Sequence, residues 1–89
     1  MALNEKQINR IREVAQSYGA TRVILFGSSL DPKRQARDLD LAFDGVSGWK
    51  LYELGAKLEE LLQTSLDIVP LSPATRFTRL IETRGTVLL

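Results

Sequence analysis

Three aspartates stand where strands seldom carry them. Asp38-Leu39-Asp40-Leu41-Ala42-Phe43 alternates, so period two sets Leu39, Leu41 and Phe43 on one face of a strand and both aspartates on the other. Leu66-Asp67-Ile68-Val69 is a second short apolar run with a single carboxylate inside it. Aspartate is depleted in strands because its side chain competes for backbone bonds and is costly to desolvate. The six glutamates, by contrast, all fall on predicted helices, where water can solvate them. Asp38 and Asp40 are about 7 Å apart along one strand, near enough to touch a common divalent cation. A parallel neighbouring strand would bring Asp67 onto the same face. Three converging carboxylates repel one another unless cations neutralise them, and oxygen-only ligands suit Mg²⁺ or Mn²⁺. Two-metal phosphoryl or nucleotidyl transfer uses this kind of ligand set.

Gly27-Ser28 supplies a complementary feature. A glycine closing a buried strand lets the backbone turn sharply toward a ligand, and the amides of a following turn, with the Ser28 hydroxyl, can hold phosphate oxygens. The nine residues between Ser28 and Asp38 are enough to reverse the chain. If the strands on either side are antiparallel neighbours, the phosphate turn and the carboxylates share one edge of the sheet. A Gly-Ser alone is most often a plain turn, and an Asp-x-Asp alone a solvated edge; the combination carries the weight.

The elements that must position these residues can be read from periodicity. Ile8, Ile11, Val14, Ala15 and Tyr18 recur every three or four residues behind an Asn4…Gln7 capping pattern and before Gly19, which predicts a helix from Glu5 to Tyr18. Arg22-Val23-Ile24-Leu25-Phe26 is a β-branched apolar run, hence a buried strand. Residues 28–37 are polar and predict a connection with a turn or two of helix. Leu51, Leu54, Gly55, Leu58, Leu61 and Leu62 make the stripe of a second long helix. The strand, helix, strand succession that follows favours parallel pairing of the two aspartate-bearing strands. Ser72-Pro73 reads as an N-cap and first helical position, Phe77, Leu80 and Ile81 share a face, and Gly85 closes this last helix. Val87-Leu88-Leu89 is expected to dock as a short edge strand. Trp49 and Tyr52 are expected to cover the core or a subunit contact, with nucleobase stacking as a weaker alternative. The fold class is therefore α/β, in the order α-β-α-β-α-β-α, with helices flanking a mixed sheet of three or four strands.

Composition narrows the chemistry. The chain has 89 residues, so a single domain spanning residues 1–89 is expected. No cysteine and no histidine occur, which excludes disulfides, thiolate or imidazole metal sites and histidine-based nucleophilic triads. Twelve basic residues against eleven acidic ones imply no polyanionic partner, and the basic loop from Lys33 to Arg37 has no interleaved aromatic residue, so direct nucleic-acid binding is disfavoured. The first residues lack a basic start followed by an apolar run, and no apolar stretch reaches the roughly 20 residues of a membrane span, so a cytoplasmic location and no membrane contact are expected.

Phe26-Gly27-Ser28, Asp38-Leu39-Asp40-Leu41 and Leu66-Asp67-Ile68 together resemble the signature of the DNA polymerase β-type nucleotidyltransferase superfamily. The short length is similar to its minimal nucleotidyltransferase (MNT) branch. The resemblance implies that Asp38, Asp40 and Asp67 are catalytic and bind two Mg²⁺ ions, or Mn²⁺, with Asp67 nearest the attacking hydroxyl, and that the Gly27-Ser28 turn holds the triphosphate of ATP. It departs from the usual pattern at Ser29 and Asp31, where relatives commonly carry arginines, and at Arg37, where they often have serine. The expected nucleotide-binding set is thus Gly27, Ser28, Ser29, Lys33, Arg34 and Arg37, with the last three replacing the missing clamp. Minimal members typically pair with a HEPN-domain protein, often as the antitoxin that adenylylates a tyrosine of a HEPN ribonuclease toxin. The resemblance thus implies a Mg²⁺-dependent transfer of AMP, or another NMP, from a nucleoside triphosphate to such a hydroxyl. The alternative is a catalytically inactive module that neutralises the HEPN partner by occlusion. A homo-oligomer is compatible with either.

Overall fold

The computed structural model describes residues 3–27 and 39–89. The chain begins with α1 (Glu5–Ser17), whose N-cap Asn4 accepts from the Gln7 amide while the Gln7 side chain accepts from the Asn4 amide. That reciprocal pair satisfies two amides that a helix start leaves without intrahelical partners. The following elements are β1 (Arg22–Phe26), β2 (Leu39–Asp44), α2 (Trp49–Leu62), β3 (Leu66–Pro70), α3 (Arg76–Arg84) and β4 (Thr86–Val87). The helical turn expected between β1 and β2 lies outside the described residues.

The strands form one mixed sheet in the order β3-β2-β1-β4. β1 runs antiparallel to β2 and to β4, and β2 runs parallel to β3, as the intervening α2 crossover requires. The apolar tail does dock at an edge: β4 pairs with β1 and Leu88 is buried. Beyond the strand, the Arg12 side chain donates to the Leu88 carbonyl and ties α1 to the tail.

Alternation divides the core into two layers. Leu39, Leu41 and Phe43 of β2 and Val23 of β1 face α1 and α2, where they pack with Ile11, Leu51, Leu54 and Leu58. Ile24, Phe26 and Ala42 face the other way and pack with Leu71 and with Ile81 of α3. Leu54, Leu58 and Phe43 are fully buried, and truncating one such side chain to alanine costs about 2–5 kcal/mol.

Three expectations need correction. The last helix does not start at Ser72-Pro73: Thr75 is its N-cap, accepting from the Thr78 amide while the Thr78 hydroxyl accepts from the Thr75 amide. This capping box satisfies two amides, which a single Ser72 cap cannot match, and Ser72 instead donates its hydroxyl to Asp44. Leu61 is not part of the buried stripe of α2, because the stripe drifts past it to Leu62. Trp49 and Tyr52 do not cover the core; both are more than 70% exposed in the first turn of α2.

Candidate active site on the α3 face of the sheet

The site is assembled by strand register. Phe26 of β1 lies opposite Asp40 of β2, and Asp40 lies opposite Asp67 of β3. The three side chains share the face that carries α3, since their neighbours Leu39, Leu41 and Ile68 belong to the opposite layer. Adjacent strands are about 4.8 Å apart, so Asp40 and Asp67 are the nearest possible cross-strand carboxylates. The two differ in setting. Asp40 is on an interior strand and 4% exposed, whereas Asp67 is on the edge strand β3 and open to water. A carboxylate pair with one member fixed inside the sheet and the other at its rim can hold a cation on the solvent side of the buried one.

Gly27 completes this corner. Its φ of +102° is one that L side chains rarely adopt, and a Cβ placed there would lie 1.8 Å from Oδ2 of Asp40. The missing side chain therefore provides the space that the carboxylate occupies. At Gly27 the chain turns out of β1 directly against the buried acid.

α3 crosses this face antiparallel to β1. Phe77 meets Phe26 edge-on, with ring centroids 5.6 Å apart and an interplanar angle of 80°; Ile81 packs with Ile24; and Glu82 pairs with Arg22 at 2.6 Å. The first turn of α3 thus stands at the carboxylate end and its last turn at the far end. Phe77, Leu80 and Ile81, read from the sequence as sharing a face, divide: Ile81 is buried together with Thr78, while Phe77 and Leu80 are 49% and 40% exposed.

Of the expected site residues, the structure brings together Gly27, Asp40 and Asp67. Ser28, Ser29, Lys33, Arg34, Arg37 and Asp38 lie outside the described residues. Among the described residues no group of three carboxylate, imidazole or thiolate side chains converges, as expected when Asp38 is not among them. A groove of about 620 Å³ lined by Asn4, Gln7, Arg10, Glu13 and Leu62 lies on the α1 and α2 layer, away from the carboxylates. Among the described residues no helix is long and apolar enough to cross a membrane.

No protein-family model and no curated protein sequence matches this chain. Solved structures do match it. One is a chain from a complex of tri-AMPylated HEPN toxin with MNT antitoxin of Shewanella oneidensis, with a TM-score of 0.76 at 22% identity over 98% of this chain and 72% of that one. A toxin–antitoxin complex with AMP-PNP gives 0.74 at 24% identity, over 92% and 72% of the two chains. A minimal nucleotidyltransferase gives 0.70 at 26% identity, over 90% and 87%. This chain has the minimal nucleotidyltransferase fold. The domain shares the architecture of MNT antitoxins found with HEPN toxins, and the α/β class with a four-stranded mixed sheet agrees with the order read from the sequence.

The donor set of the domain fits a hard divalent cation. Asp40 and Asp67 set carboxylate oxygens in register on one face, the sequence has no histidine or cysteine to compete with them, and the Gly27 gap lets the buried carboxylate sit beside the turn.

Proposed function

We propose that the domain transfers AMP from ATP to a protein hydroxyl, a tyrosine of a HEPN-type partner, and acts in this way as an antitoxin. The observation that carries the reading is the in-register pair Asp40 and Asp67 beside a glycine turn that only glycine can make. The likeness to an MNT antitoxin found with an AMPylated HEPN toxin supports the acceptor class.

Asp38, Asp40 and Asp67 would hold two Mg²⁺ ions, which when bound neutralise triphosphate charge and lower the pKa of the attacking hydroxyl. The residues of the chain do the rest. Gly27 and Ser28 present amides and a hydroxyl to the phosphates, and Lys33, Arg34 and Arg37 balance the charge of the β- and γ-phosphates. Asp67, exposed on the edge strand, accepts the proton of the incoming hydroxyl. The acceptor oxygen forms a bond to the α-phosphorus, the bond from that phosphorus to the bridging oxygen breaks, and pyrophosphate leaves with the electron pair.

A second reading rests on Ser29 and Asp31, which stand where arginines are usual: a domain without transfer activity that neutralises its partner by covering it. Stoichiometry separates the two. The HEPN-type partner is incubated with Mg-ATP and increasing amounts of the domain, and its mass and ribonuclease activity are followed. Catalysis predicts AMP-modified, inactive partner at far less than one copy of the domain per partner. Neutralisation only at equal copies, with an unmodified partner and no need for ATP, overturns the catalytic reading.

A further inference from the structure

Beside the carboxylates, the first turn of α3 offers an aromatic side chain that the fold does not need to leave in water. Phe26 is buried, in register with Asp40 and on its face. Phe77 rests on Phe26 through one edge contact and stays 49% exposed, and Leu80, one turn further, extends the same strip at 40% exposure. The other exposed aromatics are ill placed for the same task. Trp49 and Tyr52 open a helix whose buried residues Leu51, Leu54 and Leu58 pack on the opposite face of the sheet from Asp40.

We infer that Phe77, flanked by Leu80, is the platform on which the base of the bound nucleoside triphosphate stacks. The inference rests on the nucleotide-site reading above. With phosphates at the Gly27 turn and the cations at Asp40 and Asp67, the nucleoside has to leave the carboxylates along the α3 face, where Phe77 stands one in-register neighbour away from Asp40. Stacking uses the π-face that every base has, so the platform favours a base over no base more than one base over another.

The test is calorimetric titration of the full chain with Mg-ATP and with Mg-tripolyphosphate, which carries the phosphates without a base. The variants are Phe77→Ala, Phe77→Leu, which keeps an apolar contact with Phe26, and Phe77→Trp, each checked by far-UV circular dichroism and thermal melting. The platform predicts ATP affinity about 5- to 150-fold weaker in Phe77→Ala and Phe77→Leu, retained in Phe77→Trp, with tripolyphosphate affinity unchanged in all three. Unchanged ATP affinity in Phe77→Leu overturns it, including the outcome in which only transfer to the protein acceptor falls, which would assign the strip to the partner. Equal loss for both ligands also overturns it and makes Phe77 structural. Wild-type chain that binds ATP no better than tripolyphosphate removes the platform alone, whereas wild-type chain that binds neither removes the nucleotide site with it.

Discussion

Replacing Gly27 by alanine tests the link between fold and site at a single methyl group. The added Cβ would lie 1.8 Å from Oδ2, 2.7 Å from Cγ and 3.0 Å from Cβ of Asp40. Carbon atoms in good contact stand about 3.5–4.0 Å apart, so the carboxylate has to withdraw by more than about 1 Å. Asp40 is on an interior strand at 4% exposure, so it can withdraw only by leaving its rotamer or displacing the turn. An off-rotamer side chain costs about 0.5–1.5 kcal/mol. Holding a non-glycine residue at φ +102° adds about 1–3 kcal/mol. The expected destabilisation is the sum, roughly 1.5–4.5 kcal/mol, which lowers the melting temperature of a domain this size by at least about 6 °C. Urea unfolding followed by far-UV circular dichroism measures it. A second mutation isolates the clash: Asp40→Ala removes Oδ2 and Cγ but leaves the backbone strain, so the double variant should recover about 1 kcal/mol relative to the sum of the singles. Costs that add within about 0.3 kcal/mol refute the claim that the glycine is there to house this carboxylate.

Other expectations follow from the same geometry. Asp40→Asn and Asp67→Asn should each lower AMP transfer to a HEPN-type partner by about 100-fold or more, because each removes a charge aimed at the reacting phosphates, while the melting temperature stays within a few degrees; a mass assay of the partner reads the transfer. Arg34→Ala and Arg37→Ala should weaken Mg-ATP binding by about 1.5–3 kcal/mol each, a charge-assisted hydrogen bond, and calorimetry showing no loss in either would leave the loop as solvated surface. Thr75→Ala removes the cap of α3 and should cost about 1 kcal/mol in urea unfolding. Arg22→Ala breaks a short ion pair with Glu82, but both side chains are more than a third exposed, so its cost should stay below about 1 kcal/mol and shrink further in high salt.

Much of this fold is legible because local signals agree with tertiary ones. The run Arg22 to Phe26 ended by glycine became β1 with those bounds, and the strand-helix-strand order correctly implied parallel β2 and β3. That parallel pairing puts Asp40 and Asp67 on adjacent strands, as read from the sequence; that they stand directly opposite each other is set by register. The contact between Gly27 and Asp40 could not be read there, because it depends on which residues of β1 and β2 stand opposite each other, and the sequence does not display register. Nor could the contrast between the two acids: Asp67 is solvated because β3 is an edge strand, a property of sheet order alone. At α3 two start signals competed, and the pair of reciprocal bonds between Thr75 and Thr78 won over Ser72-Pro73. Packing of Ile81 on Ile24 buries the side of α3 that carries Thr78 and Ile81 and leaves Phe77 and Leu80 half-exposed at its margin, a division that their shared apolar spacing does not display. The expected phosphate-contacting residues from Ser28 to Arg37 fall outside the described residues.

In the proposed function the in-register carboxylates of β2 and β3 bind the catalytic cations. Titration of Mn²⁺ followed by electron paramagnetic resonance, with saturating ATP and with the wild-type chain beside an Asp40→Asn, Asp67→Asn double variant, tests it without needing an acceptor protein. Two Mn²⁺ ions should be taken up per wild-type chain beyond what ATP binds in its absence, and the double variant should lose this uptake while keeping its circular dichroism spectrum. Equal Mn²⁺ uptake by the wild-type chain and a folded double variant would contradict the proposed binding.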